Sequence, residues 1–207
     1  MPQTSVLSRP IHPGWTRINH WLNALSVVVL AMSGWRIYDA SPLYPFRFPA
    51  DITLGGWLGG ALQWHFAAMW LLAGNGLVYL VLNIGTGRLG RQFFPLSLHA
   101  IAQDLSAALR GRLAHDDLRH YNAVQKLAYL LVMLDLIVLV LSGLVLFKSV
   151  QFEWLRIMFG GYDFARHVHF AAMALLVAFV AVHLVMVLLV PRSLFAMLGR
   201  GQPERAA

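Results

Sequence analysis

Four histidines lie inside hydrophobic stretches of this chain: His20, His65, His169 and His183. The last two fall on one predicted helix, 14 positions apart. At about 100° and 1.5 Å per residue, 14 steps return to within about 40° of the same face, about 21 Å further along the axis. Both rings therefore address the same neighbours at two heights. An imidazole inside lipid is costly and faces the bundle interior with a partner. Two stacked histidines thus ask what fills the space between helices, and two iron porphyrins, one above the other, answer best.

The elements that must hold these rings follow from composition. The 207 residues are 58% hydrophobic and 12% charged, with mean hydropathy +0.62, outside the range of an ordinary soluble domain. Runs of about 20 apolar residues, enough for a hydrocarbon core of about 30 Å, occur over about 18–38, 57–84, 121–147 and 164–190. The predicted fold is all-α: one integral membrane four-helix bundle covering 1–207. The first run follows a short basic, Pro-containing head without a small-residue cleavage signal and is read as a retained span. No internal repeat is visible.

With both termini in the cytoplasm, Arg9, Arg17, Arg88, Arg91, Arg110, Arg112, Arg119, Lys126, Arg192, Arg200 and Arg205 lie inside, against Arg36, Arg47, Lys148, Arg156 and Arg166 outside. That asymmetry satisfies the positive-inside rule. The net charge of +7 sits at helix ends without a compact soluble module, which argues against a nucleic-acid partner. The chain has no cysteine, so thiolate-held clusters, disulfides and covalent haem attachment are excluded. Histidine is left as the leading ligand.

The connections are distinct. Pro42, Pro45 and Pro49 among aromatics predict an ordered, mostly non-helical cap between the first two spans. In the inner connection, Leu98, Ile101, Ala102, Leu105, Ala108 and Leu109 recur at helical spacing opposite Gln103, Asp104, Arg110 and Arg112, which predicts a short amphipathic helix on the cytoplasmic surface. The second outer loop, with Trp154, Phe159, Gly160 and Gly161, is short enough to lie at the interface.

Depth pairs His65 with His169 near the outer side and His20 with His183 near the inner side. Two axial nitrogens across one iron are only about 4 Å apart, so cross pairings fail. The expected cofactors are two b-type haems, one per pair. Arg17 and Arg166 each precede a candidate ligand by three positions and are expected to meet haem propionates. Gly34, Gly74, Gly76 and Gly143 leave room for a flat macrocycle or serve close helix packing. His167, about 160° from His183 on the helix, is read as an outer-interface residue; His12, His99, His115 and His120 fall in connections. The methionines, Met32, Met69, Met133, Met158, Met173, Met186 and Met197, are read as apolar filler. Asp135, near the middle of the third span, is expected to hydrogen-bond a facing helix, with quinone-linked proton movement as the alternative.

The segments RINHWLNALSVVVLAMSG (17–34), YNAVQKLAY (121–129) and RHVHFAAMALLVAFVAVHLV (166–185) resemble the four-helix di-haem cytochrome b family, the membrane subunits of nickel-iron hydrogenases, formate dehydrogenases and thiosulfate reductases. The Pro-rich first outer loop and the TLGGWLGGALQWHF entrance to the second span look more like the thiosulfate-reductase-type branch. The resemblance implies axial ligation by His20, His65, His169 and His183 and a quinone neighbourhood at Asn122, Gln125 and Lys126. It further implies electron transfer in the bacterial inner membrane between quinone and a periplasmic redox subunit, with a molybdopterin enzyme favoured over a hydrogenase. Lipid surrounds such a subunit, and a homodimer is compatible with it. Two rivals stay open: a stand-alone enzyme oxidising superoxide at the outer haem and reducing quinone, and a non-redox anchor or proton-relay transporter.

Overall fold

The structure, a computed structural model, describes residues 13–87, 90–91, 97–110 and 123–199. Asn122, His12, His115 and His120, the start of the third expected span, and Arg9, Arg88, Arg112, Arg119, Arg200 and Arg205 lie outside them.

Among the described residues every regular element is helical: α1 (Gly14–Ala40), a 3₁₀ turn (Ala50–Ile52), α2 (Leu58–Gly85), α3 (Leu98–Leu109), α4 (Ala123–Phe147), α5 (Glu153–Met158), α6 (Tyr162–Leu189) and α7 (Pro191–Met197). Three of them, α2, α4 and α6, are long and apolar enough to cross a membrane. Helix α1 is comparably long, 27 residues, but Arg17, Asn19, His20, Asn23, Ser26 and Ser33 lower its hydropathy. The amphipathic segment forms α3, and Asp104 on it accepts a hydrogen bond from the Ala123 amide at 2.7 Å. That contact seats α3 at the start of α4 and satisfies one of the helix's orphan N–H groups. Helix α7 was not anticipated; Pro191 begins it, at a first-turn position where the N–H that proline lacks would have no partner within the helix.

Close backbone approach between the long helices is most extensive in two hairpins, α1 with α2 and α4 with α6. The residues buried in them are small or polar, Ala61, Ala68, Ala165, Ala172, Ser26, Ser33 and Ser142, while many large aliphatic residues are exposed, as suits helices that pack through small side chains in lipid.

These buried positions overturn the expectation of no internal repeat. Ser33 and Gly34 of α1 recur 109 positions later in α4 as Ser142 and Gly143, with Asp135 standing where α1 has Ser26; Ala61, His65, Ala68 and Leu72 of α2 recur 104 positions later in α6 as Ala165, His169, Ala172 and Leu176. Ser26, Ser33, Asp135 and Ser142 are all buried, and so are the matched alanines and leucines of α2 and α6. The likeness is strongest between α2 and α6, where HFAAM at 65–69 recurs as HFAAM at 169–173 and Leu71 and Leu72 recur as Leu175 and Leu176.

At the outer end the proline-rich loop folds back as a mostly non-helical aromatic cap. Trp35 stacks on Phe48 with centroids 5.0 Å apart, and Tyr38 meets Phe46 at 5.2 Å and Phe170 of α6 at 5.1 Å. The Tyr38 hydroxyl donates to the Tyr44 carbonyl and accepts from the Tyr44 amide, each at 3.2 Å. Across the bundle, Leu155 of the short α5 is fully buried against Val145 and Ala165, with Trp154 and Ile157 exposed beside it.

Candidate functional site

Each hairpin builds the same half-site. In α1, the Ser33 hydroxyl donates to the Val29 carbonyl four residues back, at 2.6 Å; its oxygen lies 3.0 Å from His65 Nδ1. In α4, Ser142 donates to Val138 at 2.7 Å and lies 2.9 Å from His169 Nδ1. Each serine has one proton, and the helix carbonyl takes it. The ring nitrogen must therefore carry the hydrogen and donate it, which leaves Nε2 of both rings as an unprotonated lone pair, the form that binds a metal. The following glycine makes room for the ring: a Cβ at Gly34 would stand 3.3 Å from His65 Cε1, and one at Gly143 the same 3.3 Å from His169 Cε1. Sequence reasoning singled out these two glycines and missed the serines beside them. The signal was present as a Ser-Gly pair in both the first and third spans. A Cβ at Gly74 or Gly76 would meet nothing within 4 Å, so those two do not shape the site in the protein alone.

The rings meet across the hairpins in the expected pairs. His65 and His169 have centroids 6.4 Å apart, and His20 and His183 have centroids 6.1 Å apart. Imidazole nitrogens bound to opposite faces of one metal lie about 4 Å apart, and about 1.1 Å more from each nitrogen to its ring centre puts the centroids about 6.2 Å apart. A direct ring-to-ring hydrogen bond of about 2.9 Å would bring the centroids to about 5 Å. Both centroid separations match that spacing, with the rings inclined at 64° and 61°. Among the described residues no three His, Asp or Glu converge on a metal-sized point. Two nitrogens per site, with the remaining positions supplied by a macrocycle, is the donor set of a bis-histidine haem, and the residues present fit that group.

The inner pair is secured differently. Phe179, one turn before His183, stacks on its ring at 6.0 Å and 12°. His20 follows Asn19, which joins Asn23 and Asn75 in a clasp between α1 and α2. Asn19 Nδ2 donates to Asn75 Oδ1 at 2.8 Å and to the Asn75 carbonyl at 3.0 Å; Asn75 Nδ2 donates to the Asn19 carbonyl at 2.9 Å and to Asn23 Oδ1 at 2.7 Å. Hydrogen bonds of this kind fix helix register where apolar packing is weakly directional.

The arginines find protein partners. Arg166 donates to the Ser41 carbonyl at 2.6 Å, tying the start of α6 to the end of α1. Arg17 lies against Gly199, whose φ of +91° and absent side chain admit the guanidinium. Arg17 also lines a groove of about 470 Å³ with Ile18, Trp21, Leu22, Leu25, Met197 and Leu198. This groove, between α1 and the unanticipated α7, runs beside His20 and was not foreseen. Gln125 and Lys126 sit in the first turn of α4 next to the α3 anchor. His167 is exposed and its Nδ1 lies 2.8 Å from the Asp163 carbonyl, and His99 lies 2.9 Å from Gln103 on α3.

One expectation fails. Asp135 is buried, but its Oδ2 has no hydrogen-bond partner among the described residues. The facing stripe of α6, where Leu176 matches Leu72 of α2, offers no donor.

Comparison with known proteins places this geometry. A protein of Azospira oryzae, named "Putative protein-methionine-sulfoxide reductase subunit YedZ1", is 66% identical over 188 residues, which is 91% of this chain and 95% of the relative. The sequence pattern of prokaryotic cytochrome b561 matches residues 11–200, taking in all four histidines and both Ser-Gly pairs, and the chain belongs to the prokaryotic cytochrome b561 family.

Proposed function

We propose that this protein is the multi-pass electron-transfer subunit of a bacterial inner-membrane oxidoreductase, with four spans, both termini in the cytoplasm and two b-type haems. His65 and His169 would hold the outer haem and His20 and His183 the inner one. The observation that carries this reading is the separation of both imidazole pairs, 6.4 and 6.1 Å between centroids, each matching the spacing across one bis-histidine metal. Haem, when bound, supplies reversible one-electron chemistry at iron.

The chain's own residues do the rest. Ser33 and Ser142 set the tautomer of the outer ligands, the asparagine clasp sets the height of His20, and the aromatic cap keeps water from the outer pair. Gln125 and Lys126, with Asn122 beside them in sequence, are the proposed contacts for quinone on the inner side. The name of the 66% identical relative supports a partner that reduces methionine sulfoxide in proteins, and a periplasmic molybdopterin enzyme remains the favoured partner class. This displaces the thiosulfate-reductase leaning. The balance is two electrons and two protons per sulfoxide, yielding methionine and water, with quinol as the two-electron donor.

Haem stoichiometry of the purified protein tests the reading. Two non-covalent b-type haems per chain are expected. One or none refutes the two-tier arrangement, and a preparation with no reducible haem band would return the anchor or proton-relay reading.

A further inference from the structure

The slice of the bundle between the two histidine tiers is almost free of ionisable groups. Along residues 21–33 of α1, 66–78 of α2 and 170–182 of α6 there is no Asp, Glu, Lys, Arg, His or Tyr; along 130–141 of α4 there is one, Asp135. Asp135 is seven residues before Ser142, which brings it to the same stripe of α4 and about 10 Å nearer the inner side. Since Ser142 is level with His169, and His183 lies about 21 Å below His169 on α6, the carboxyl stands about midway between the tiers. It is 7% exposed and its Oδ2 is unpartnered. Its counterpart in the first hairpin, Ser26, spends its hydroxyl on its own helix, donating to Leu22 at 2.8 Å. Packing at this position is therefore satisfied by a serine, and the second hairpin carries a carboxyl there with no structural bond to make.

We propose that Asp135 is a proton-binding site coupled to the charge of the two-tier haem centre, taking up one proton when an electron enters the slice and releasing it when the electron leaves. This rests on the two-haem reading. On reduction, one electron from quinol or a chemical reductant changes one iron from ferric to ferrous, and one proton from water forms an O–H bond on an Asp135 carboxylate oxygen. On reoxidation the electron passes to the partner, the O–H bond breaks and the proton returns to water. The coupling is electrostatic: in a weakly polarisable interior, a unit change of charge about 10 Å away alters proton affinity on the order of tenfold.

Other groups around α4 stand at its ends. Helix α3 brings His99 and Asp104 to the inner end, α5 brings Glu153 and Arg156 to the outer end, and α6 contributes Asp163, Arg166, His167 and His169 above the slice and His183 below it. On α4 itself are Lys126 and Tyr129 below, with Lys148 following above; His20 and Tyr79 lie in the inner halves of α1 and α2, and His65 in the outer half of α2.

The test is a spectroelectrochemical titration of the full-length haem-loaded protein across a pH series, for wild type, Asp135→Asn and Asp135→Ser, the serine being what the first hairpin carries. In wild type the midpoint of at least one haem should fall with rising pH over a limited window; in both variants that dependence should vanish with two haems retained. A pH-independent wild type, or variants that keep the wild-type slope, would overturn the role of Asp135 while leaving the two haems standing. Fewer than two haems in wild type would instead overturn the underlying reading. If both variants lose haem, the reduced-minus-oxidised infrared spectrum of wild type decides: a carboxylic C=O band that grows on reduction supports the proposal, and its absence refutes it.

Discussion

Removing one hydroxyl, Ser142→Ala, should loosen one haem and leave the other alone. In wild type the Ser142 oxygen accepts the His169 Nδ1 hydrogen at 2.9 Å while its own proton goes to Val138. Alanine leaves a buried N–H without an acceptor, which costs about 1–3 kcal/mol. Loss of the residue that orients a metal-binding histidine typically weakens the metal about 10–100-fold, equivalent to about 1.4–2.8 kcal/mol, so two independent routes agree. The assay is haem transfer from the detergent-solubilised protein to an excess of a haem-free globin, followed optically. The outer haem should leave 10–100-fold faster than in wild type, with the inner phase unchanged. Ser33→Ala should do the same through His65. Ser26→Ala is the control, because that hydroxyl bonds only its own helix, at 2.8 Å, and touches no ring. Outer-haem loss within twofold of wild type, or equal acceleration of both phases, would refute the reasoning.

Three further outcomes follow from the same geometry. Replacing His169 with alanine should remove the outer haem and spare the inner, and His183→Ala the reverse, read as one haem per chain in each; loss of both from either change in a folded protein would argue against separate sites. Gly143→Ala puts a methyl 3.3 Å from His169 Cε1 and should broaden or shift the outer haem's absorption, whereas Gly74→Ala meets nothing and should raise thermal stability by up to about 1 kcal/mol from helix propensity. Asn75→Leu deletes three of the clasp's hydrogen bonds, worth about 0.6–2 kcal/mol each in membranes, and should lower the melting temperature and release the inner haem first in a thermal scan of the haem band.

The long helices and the depth pairing of the histidines were legible because they rest on two strong signals: apolar length set by the bilayer, and a 14-residue interval that divides almost evenly into helical turns. The ends of α2 and α4 nearest the outer side lie within about a residue of expectation. What escaped reading depends on contacts between helices. Ser33 and Ser142 look like ordinary membrane serines until the ring opposite each is placed. The repeat, HFAAM at 65–69 and again at 169–173, gains its meaning only when each run is set against its own partner helix. Arg17 and Arg166, expected by spacing to meet propionates, lie in the protein alone against Gly199 and Ser41, contacts that spacing along one helix does not reveal. Asp135 shows the opposite case. Its burial was foreseen, but its missing partner could only be learned from the helix it faces.

The repeat also explains why the two tiers are built differently. In the outer tier the proposed ligands are matched residues, His65 and His169, each on the second helix of its hairpin and each beside the matched serine of the first. Had the inner tier followed the same rule, the partner of His183 would stand 104 positions earlier, where the chain has Tyr79. The ligand comes instead from α1, as His20, whose own counterpart in α4 is Tyr129. An α1 ligand cannot use the serine device, since that device holds a ring on the neighbouring helix from below. It needs α1 itself held in register against α2, and that is where the asparagines fall: Asn19, Asn23 and Asn75 have Ala128, Val132 and Phe179 as their counterparts in the second hairpin. Phe179 stacks on His183 in place of a clasp. Serine variants should therefore act on the outer haem and asparagine variants on the inner. A double variant, Ser142→Ala with Asn75→Leu, should show losses that add, because the two devices sit in different hairpins and share no contact. A coupling energy above about 0.5 kcal/mol between them would mean that the tiers are not independently held.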